Sequence, residues 1–301
     1  MKRYLDPKSD LVFKRIFGEH PHLLKSFLNA LLPLPEGTQI EKIAYLPQEQ
    51  IQELPGFKRP IVDVKCTDQH GRFFIVEMQI QWVADFIQRM LFNAGVRYIR
   101  QINRGEAYTT LCHVYGLALI NDAFTKEPEW FHHYKMMNVK NFNQVIDDIQ
   151  LVLVELPKFK PSTLVEKKLA VLWLRFMSEI GDETQSIDPA LSDDPTINEA
   201  LILSEESGYT PAQLEGYSAY WDSVRTEKTL LEGKFKEGRV EGRAEGKAEG
   251  KAEGKAEGKA EGKAEGREAL IVSMFKNGAD LQTLERFTGL TQIELKEILK
   301  E

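Results

Sequence analysis

Cysteine is scarce in this chain. Cys66 and Cys112 are the two in 301 residues, and both sit in apolar, strand-like runs. A disulfide framework is excluded, and buried free thiols in a reducing cytoplasm are the expectation. The six histidines do not make good the lack of thiols as metal ligands. His20 with His22, and His132 with His133, have no companions at zinc-site spacing. No apolar run approaches the ~20 residues of a membrane span. The opening MKRYLDPKSD has no apolar stretch of the signal-peptide kind. Phosphate-cradling glycine loops and the Gly-x-Ser-x-Gly elbow are also missing. The net charge is −7, so no global basic field advertises a nucleic-acid partner, and any such site must be a local patch. What remains is an ordinary globular composition, 42% apolar, long enough for one or two domains.

The most informative stretch is residues 58–81, KRPIVDVKCTDQHGRFFIVEMQIQ. Apolar and β-branched residues on both sides of Asp68-Gln69-His70-Gly71 predict a hairpin, with strands near 59–66 and 72–80. Glu77 and Gln79 are two apart and share a face. If the hairpin closes symmetrically about His70, Asp63 lies across from Glu77. Opposed Cβ atoms are roughly 4.5–5.5 Å apart, and like charges at that separation are destabilising. A divalent cation between the carboxylates would reverse that penalty. Oxygen ligands of this kind suit Mg²⁺. A slip of one residue would put the two acids on opposite faces.

These residues carry a resemblance. Pro60-Ile61-Val62-Asp63, thirteen residues, then Glu77-Met78-Gln79 resembles the PD-(D/E)xK nuclease signature, with Gln79 where Lys is usual. The flanks resemble the recombination-promoting nuclease and transposase family of bacteria. They are DLVFKRIFG from Asp10 to Gly18, Arg89, Tyr98, GEAY from Gly105 to Tyr108, LVELPKF from Leu153 to Phe159, and the C-terminal tetrads. The resemblance implies an α/β fold, a restriction-endonuclease-like mixed sheet flanked by helices. It implies a metal-dependent DNA endonuclease that promotes recombination, using Mg²⁺ or Mn²⁺. Asp63, Glu77 and Gln79 would be catalytic, with Asp63, Glu77 and the Met78 carbonyl as metal ligands. Lys14 would touch a phosphate and Asp10 would be an additional acid. Asp10 and Lys14 are also spaced for an ordinary helix ion pair. Gln79 cannot change charge, so it can only orient a water by hydrogen bonds. Lys65, on the face of Asp63, is a second candidate cation. The rival is a catalytically weak or inactive nuclease fold that binds DNA or assembles oligomers.

A helix is expected over residues 82–101. Arg89, Asn93, Arg97 and Arg100 fall within one arc, with Met90, Ala94 and Tyr98 roughly opposite. Residues 58–104 hold eight Lys or Arg against four Asp or Glu. That local stripe makes Arg89, Arg97 and Arg100 candidate phosphate contacts, or else structural arginines.

A helix over 8–32 broken at His20-Pro21, a strand at 40–46, the hairpin, the 82–101 helix, and strands at 109–121 and 149–156 complete a nuclease core over 1–160. A helical extension is expected at 161–236. The Gly-Lys-Ala-Glu tetrads occupy 237–267, and a small helical tail 268–301, an oligomerisation knob or cap. Each tetrad glycine costs about 1 kcal/mol of helix propensity relative to Ala. Like charges recur at i,i+4. The repeat is therefore expected to be an inter-chain helix, giving a homo-oligomer, with a disordered linker as the alternative.

Overall fold

The computed structural model describes residues 3–46, 64–161 and 168–299. The chain divides into two compact units, Met1–Lys228 and Thr229–Glu301.

The first unit is built on a six-stranded mixed sheet in the order β1-β2-β3-β4-β6-β5. The strands are β1 (Ile43–Tyr45), β2 (Val64–Asp68), β3 (Phe73–Gln79), β4 (Val114–Ile120), β5 (Phe131–Asn138) and β6 (Asn141–Glu155). β2 and β3 form the expected hairpin, with Val64 opposite Val76 and Cys66 opposite Phe74, a register centred on His70. The turn closes on Asp68. Its Oδ1 accepts from the N–H of His70 and of Arg72, at 3.0 and 2.9 Å, and its Oδ2 from Arg72 Nε at 2.7 Å. Gly71 supplies the left-handed residue, with φ +74°. β3, β4 and β6 run parallel in the middle of the sheet. Where they pair with one another they read as near-continuous apolar runs, because both faces are covered there.

The two faces have different covers. Phe74, Val76, Leu117 and Val152 point into the larger core. There they meet α1 (Asp10–Phe13), the π-helical turn Lys14–Gly18, α2 (Pro21–Leu31), α4 (Lys168–Glu179) and α6 (Pro195–Leu203). Trp173 of α4 is fully buried at its centre. The ring lies against Phe17, Phe27 and Phe176, and its Nε1–H donates to Ser26 Oγ at 3.1 Å. Pro21 opens α2 after the break expected at His20. The other face, with Ile75, Ala118, Ile120, Leu151 and Leu153, packs on α3 (Phe86–Ile99) through Phe86, Met90 and Ala94.

One pair of strands differs from the sequence reading. β5 and the first half of β6 fall where no strand was expected. Residues 133–146 are exposed throughout, so they show no in-and-out alternation. The tetrads lie inside one unbroken helix, α7 (Pro211–Lys276), of 66 residues. α5 (Pro189–Ser192) is a short turn before α6. In the second unit, α8 (Leu281–Thr288) and α9 (Gln292–Leu299) close on α7 through Ile271, Leu284 and Leu295. Asp280 caps α8 at its start, and Gly289, φ +73°, at its end. Among the described residues no helix is long and apolar enough to cross a membrane.

Candidate active site

Alternation along β3 aims Glu77 and Gln79 at α3 rather than at the larger core. The connection from β3 to α3 is short, so the helix folds back over the strand that precedes it. The polar arc read from the sequence then lands on the polar end of β3. Asn93 Nδ2 donates to Glu77 Oε1 at 2.9 Å, and Arg89 Nη2 stands 3.9 Å from Glu77 Oε2. Arg89 Nη2 also donates to Gln79 Oε1 at 2.7 Å, while Gln79 Nε2 donates to the Gln81 carbonyl. Glu77 is 5% exposed. A carboxylate so far out of water costs several kcal/mol unless charge and hydrogen bonds compensate it, which Asn93 and Arg89 do.

The remaining candidates are placed as follows. Asp63 lies outside the described residues. Met78 follows Glu77 on β3. Lys65 pairs with Ile75, so its side chain is on the α3 face. Arg97 stacks on the Phe73 ring at 4.1 Å, and Arg89 on Phe86 at 5.0 Å. Arg100 caps the C-terminal end of α3 and is exposed. Lys14 and Asp10 form an ion pair with each other at 2.7 Å, on a segment whose apolar residues pack against the opposite face of the sheet from Glu77. Cys66 is no nucleophile, because burial pushes its thiol up to about 12.

Asn93 and Glu155 are the residues the sequence reading undervalued. Asn93 was one member of a polar arc. Its contact could have been found by matching that arc to the face of Glu77 and Gln79. Glu155 ends β6 level with Ile120 of β4, which is itself level with Gln79. It is completely buried and gathers Thr125 Oγ1 at 2.6 Å, His132 Nε2 at 2.7 Å, Lys158 Nζ at 2.8 Å and the Phe124 N–H at 3.0 Å. Burial raises its pKa, but the bonds from Lys158, Thr125, His132 and Phe124 prevail and hold the carboxyl below its ordinary value. The cluster pins the loop after β4. That loop stacks Phe124 on Trp82 at 4.2 Å, and its Asp122 accepts from the Trp82 N–H at 3.0 Å. Trp82 precedes α3 and touches Phe86, so the cluster helps to place the helix that carries Arg89 and Asn93.

Among the described residues no group of three His, Cys, Asp or Glu side chains could hold a metal ion. The donors that are present, a buried carboxylate followed by a strand carbonyl, have the hard-oxygen chemistry that suits Mg²⁺ or Mn²⁺. The family model for PD-(D/E)XK nuclease family transposases matches residues 7–233. No curated protein and no solved structure matches the chain.

Glu155→Ala should cost about 3–5 kcal/mol, because it removes the one acceptor shared by Lys158, His132, Thr125 and the Phe124 N–H. Urea unfolding checks this, and a loss below 1 kcal/mol would contradict the cluster's role. The pH dependence has a definite sign. A depressed carboxyl stabilises the fold above its ordinary pKa, and that contribution fades as pH falls through the lower folded value. Glu155→Gln should therefore flatten the acid limb of the stability curve below about pH 4.5.

Proposed function

The chain belongs to the PD-(D/E)XK nuclease family transposases, and from that premise we propose that it is a metal-dependent DNA endonuclease centred on the β2–β3 hairpin. The observation that carries this reading is the buried Glu77, which sits at the motif's strand position between two α3 side chains. Continuing the hairpin register one residue beyond the Val64–Val76 pair would set Asp63 across from Glu77. Asp63, Glu77 and the Met78 carbonyl would hold Mg²⁺ or Mn²⁺. The chemistry such an ion supplies when bound is polarisation of a phosphoryl oxygen and acidification of a water.

The rest is the work of the chain's own side chains. Asn93 fixes one oxygen of Glu77 and so aims the other. Gln79 orients the attacking water through its amide, which cannot take up a proton. Arg89 keeps a permanent positive charge beside Gln79, where the family's lysine would stand. We assign to it the stabilisation of negative charge that builds on the phosphate. Arg97 and Arg100, toward the other end of α3, would contact the DNA backbone, which carries no base information and implies little sequence preference. The product is a cut that promotes recombination. The long repeat of α7 would join copies of the chain. Its residues 234–270 are exposed throughout, and a Cβ added at any repeat glycine would meet nothing within 4 Å. A second helix could thus approach closely along the glycine stripe.

Glu77→Gln keeps an acceptor for Asn93, so the fold should survive. Supercoiled-plasmid nicking with Mg²⁺ or Mn²⁺ should nonetheless fall by about 10²-fold or more, and equally in Asp63→Ala. Undiminished nicking in both variants would remove the site assignment. Arg89→Ala should also slow nicking, and Gln79→Lys in that background should recover it by restoring a cation. If the double variant stays at the level of Arg89→Ala while both lose thermal stability, Arg89 is structural. For the repeat, Leu at positions 246, 250 and 254 in place of Gly should turn the assembly into monomers in sedimentation velocity. An unchanged sedimentation coefficient, or a monomeric wild type, would dismiss the stripe as an interface.

A further inference from the structure

The β5–β6 hairpin leaves the sheet as a free-standing ribbon. Its base is ordinary sheet, with Phe131 opposite Val154 and Tyr134 opposite Leu151. Past that base every residue from 133 to 146 is exposed. The register shifts twice, between Tyr134 and Met136 and between Met137 and Asn138. Irregularities of this kind add twist to a ribbon. The tip is a turn in which Asn138 Oδ1 accepts from the N–H of Lys140 and of Asn141, at 2.9 and 3.3 Å.

The surface of this ribbon is unusual for the molecule. Met136, Met137, Val139, Phe142 and Ile146 are all exposed, Val139 at 81% and Phe142 at 68%. Contiguous exposed apolar residues mark an interaction site. Residues 135–146 also hold Lys135, Lys140 and four carboxamides, with no Asp or Glu, in a chain of net charge −7. The acids begin at the base, where each has a partner. Asp148 accepts from Tyr98 Oη at 3.1 Å, and Asp147 lies 3.6 Å from His113 Nε2.

We infer that the β5–β6 ribbon is a second DNA-docking element, which enters a groove of the duplex with Lys135 and Lys140 on phosphates and the apolar tip as a wedge. This rests on the reading of the protein as a nuclease. A two-stranded ribbon fits a DNA groove, and amides, lysines and apolar wedges are what groove-bending proteins present there. A joint between copies of the chain would be depleted in lysine at its centre, whereas here Lys135 and Lys140 stand among the apolar residues.

The placement also suits a duplex. Glu77 is level with Ala118 and Leu153 in the sheet, and the ribbon extends beyond the Phe73 end of β3. α3 runs back toward that same end, bringing Arg97 over Phe73 and Tyr98 to Asp148. From Leu153 to the tip is at most about 40 Å along the strand. One turn of B-DNA is about 34 Å. The tip can therefore meet the groove roughly one turn from the scissile phosphate.

The test is fluorescence anisotropy of the full chain on a labelled 30-base-pair duplex in EDTA, across a KCl series, with sedimentation velocity alongside. Lys135→Gln with Lys140→Gln should weaken binding at least tenfold. It should also reduce the slope of log K against log salt by about 1.8. Val139→Ser with Phe142→Ser should weaken binding and leave that slope unchanged. Neither pair should alter the sedimentation coefficient. Unchanged affinity and slope in both pairs would overturn the inference. So would loss of binding that tracks dissociation of an oligomer, which would assign the ribbon to contacts between copies. The nuclease reading is judged separately by the nicking of Glu77→Gln.

Discussion

The buried carboxylate of Glu77 is the constraint around which the first unit is arranged. A carboxyl group at 5% exposure requires polar compensation from close by. Asn93 and Arg89 supply it, and both come from α3. These contacts tie the helix to β3. Phe86, Met90 and Ala94 fix the rotation by packing on Ala118, Ile120 and Leu151. The Glu155 cluster, acting through Phe124 and Trp82, secures the start of the helix. The same contacts that make the charge tolerable also place a guanidinium next to Gln79. Stability and the proposed chemistry thus draw on one set of side chains, which is why single changes there should be read by both unfolding and activity.

The position of Arg89 bears on the departure of this chain from the family's usual motif. A glutamine at position 79 removes a cation from the strand. The structure has one on the neighbouring helix, bonded to that glutamine at 2.7 Å. An arginine keeps its charge at any working pH and can stabilise a phosphate without passing through a neutral form. In the proposed reaction, proton transfer from the attacking water would then be left to the carboxylates or to solvent.

Much of this was legible in the sequence, for identifiable reasons. The hairpin was readable because Gly71 and Asp68 mark its turn, whereas its register was an assumption of symmetry about His70, which the Val64–Val76 pairing matches. The helix after the hairpin and the strand that follows it were readable because Phe86–Ile99 and Val114–Ile120 carry strong apolar signals. The orientation of the α3 arginines was not. Helical periodicity gives an arc but does not say whether a polar arc meets water or another polar face. Asn93 turned out to be buried, whereas Leu91, Phe92 and Ile99 are exposed. β5 was missed because strand periodicity is a signal of one buried face, and the ribbon has none. The repeat in α7 runs against local propensity, with a glycine every fourth residue and like charges one turn apart.

In the proposed site the β2–β3 hairpin holds a divalent cation between carboxylates, of which Glu77 is one. Electron paramagnetic resonance of Mn²⁺ tests it most directly, because the signal of free Mn²⁺ counts bound ions even when binding is weak. Titration of the full chain should show an Mn²⁺ that is lost in the Asp63→Asn, Glu77→Gln double variant, while circular dichroism stays unchanged. Equal Mn²⁺ binding by the wild type and a folded double variant would contradict the account.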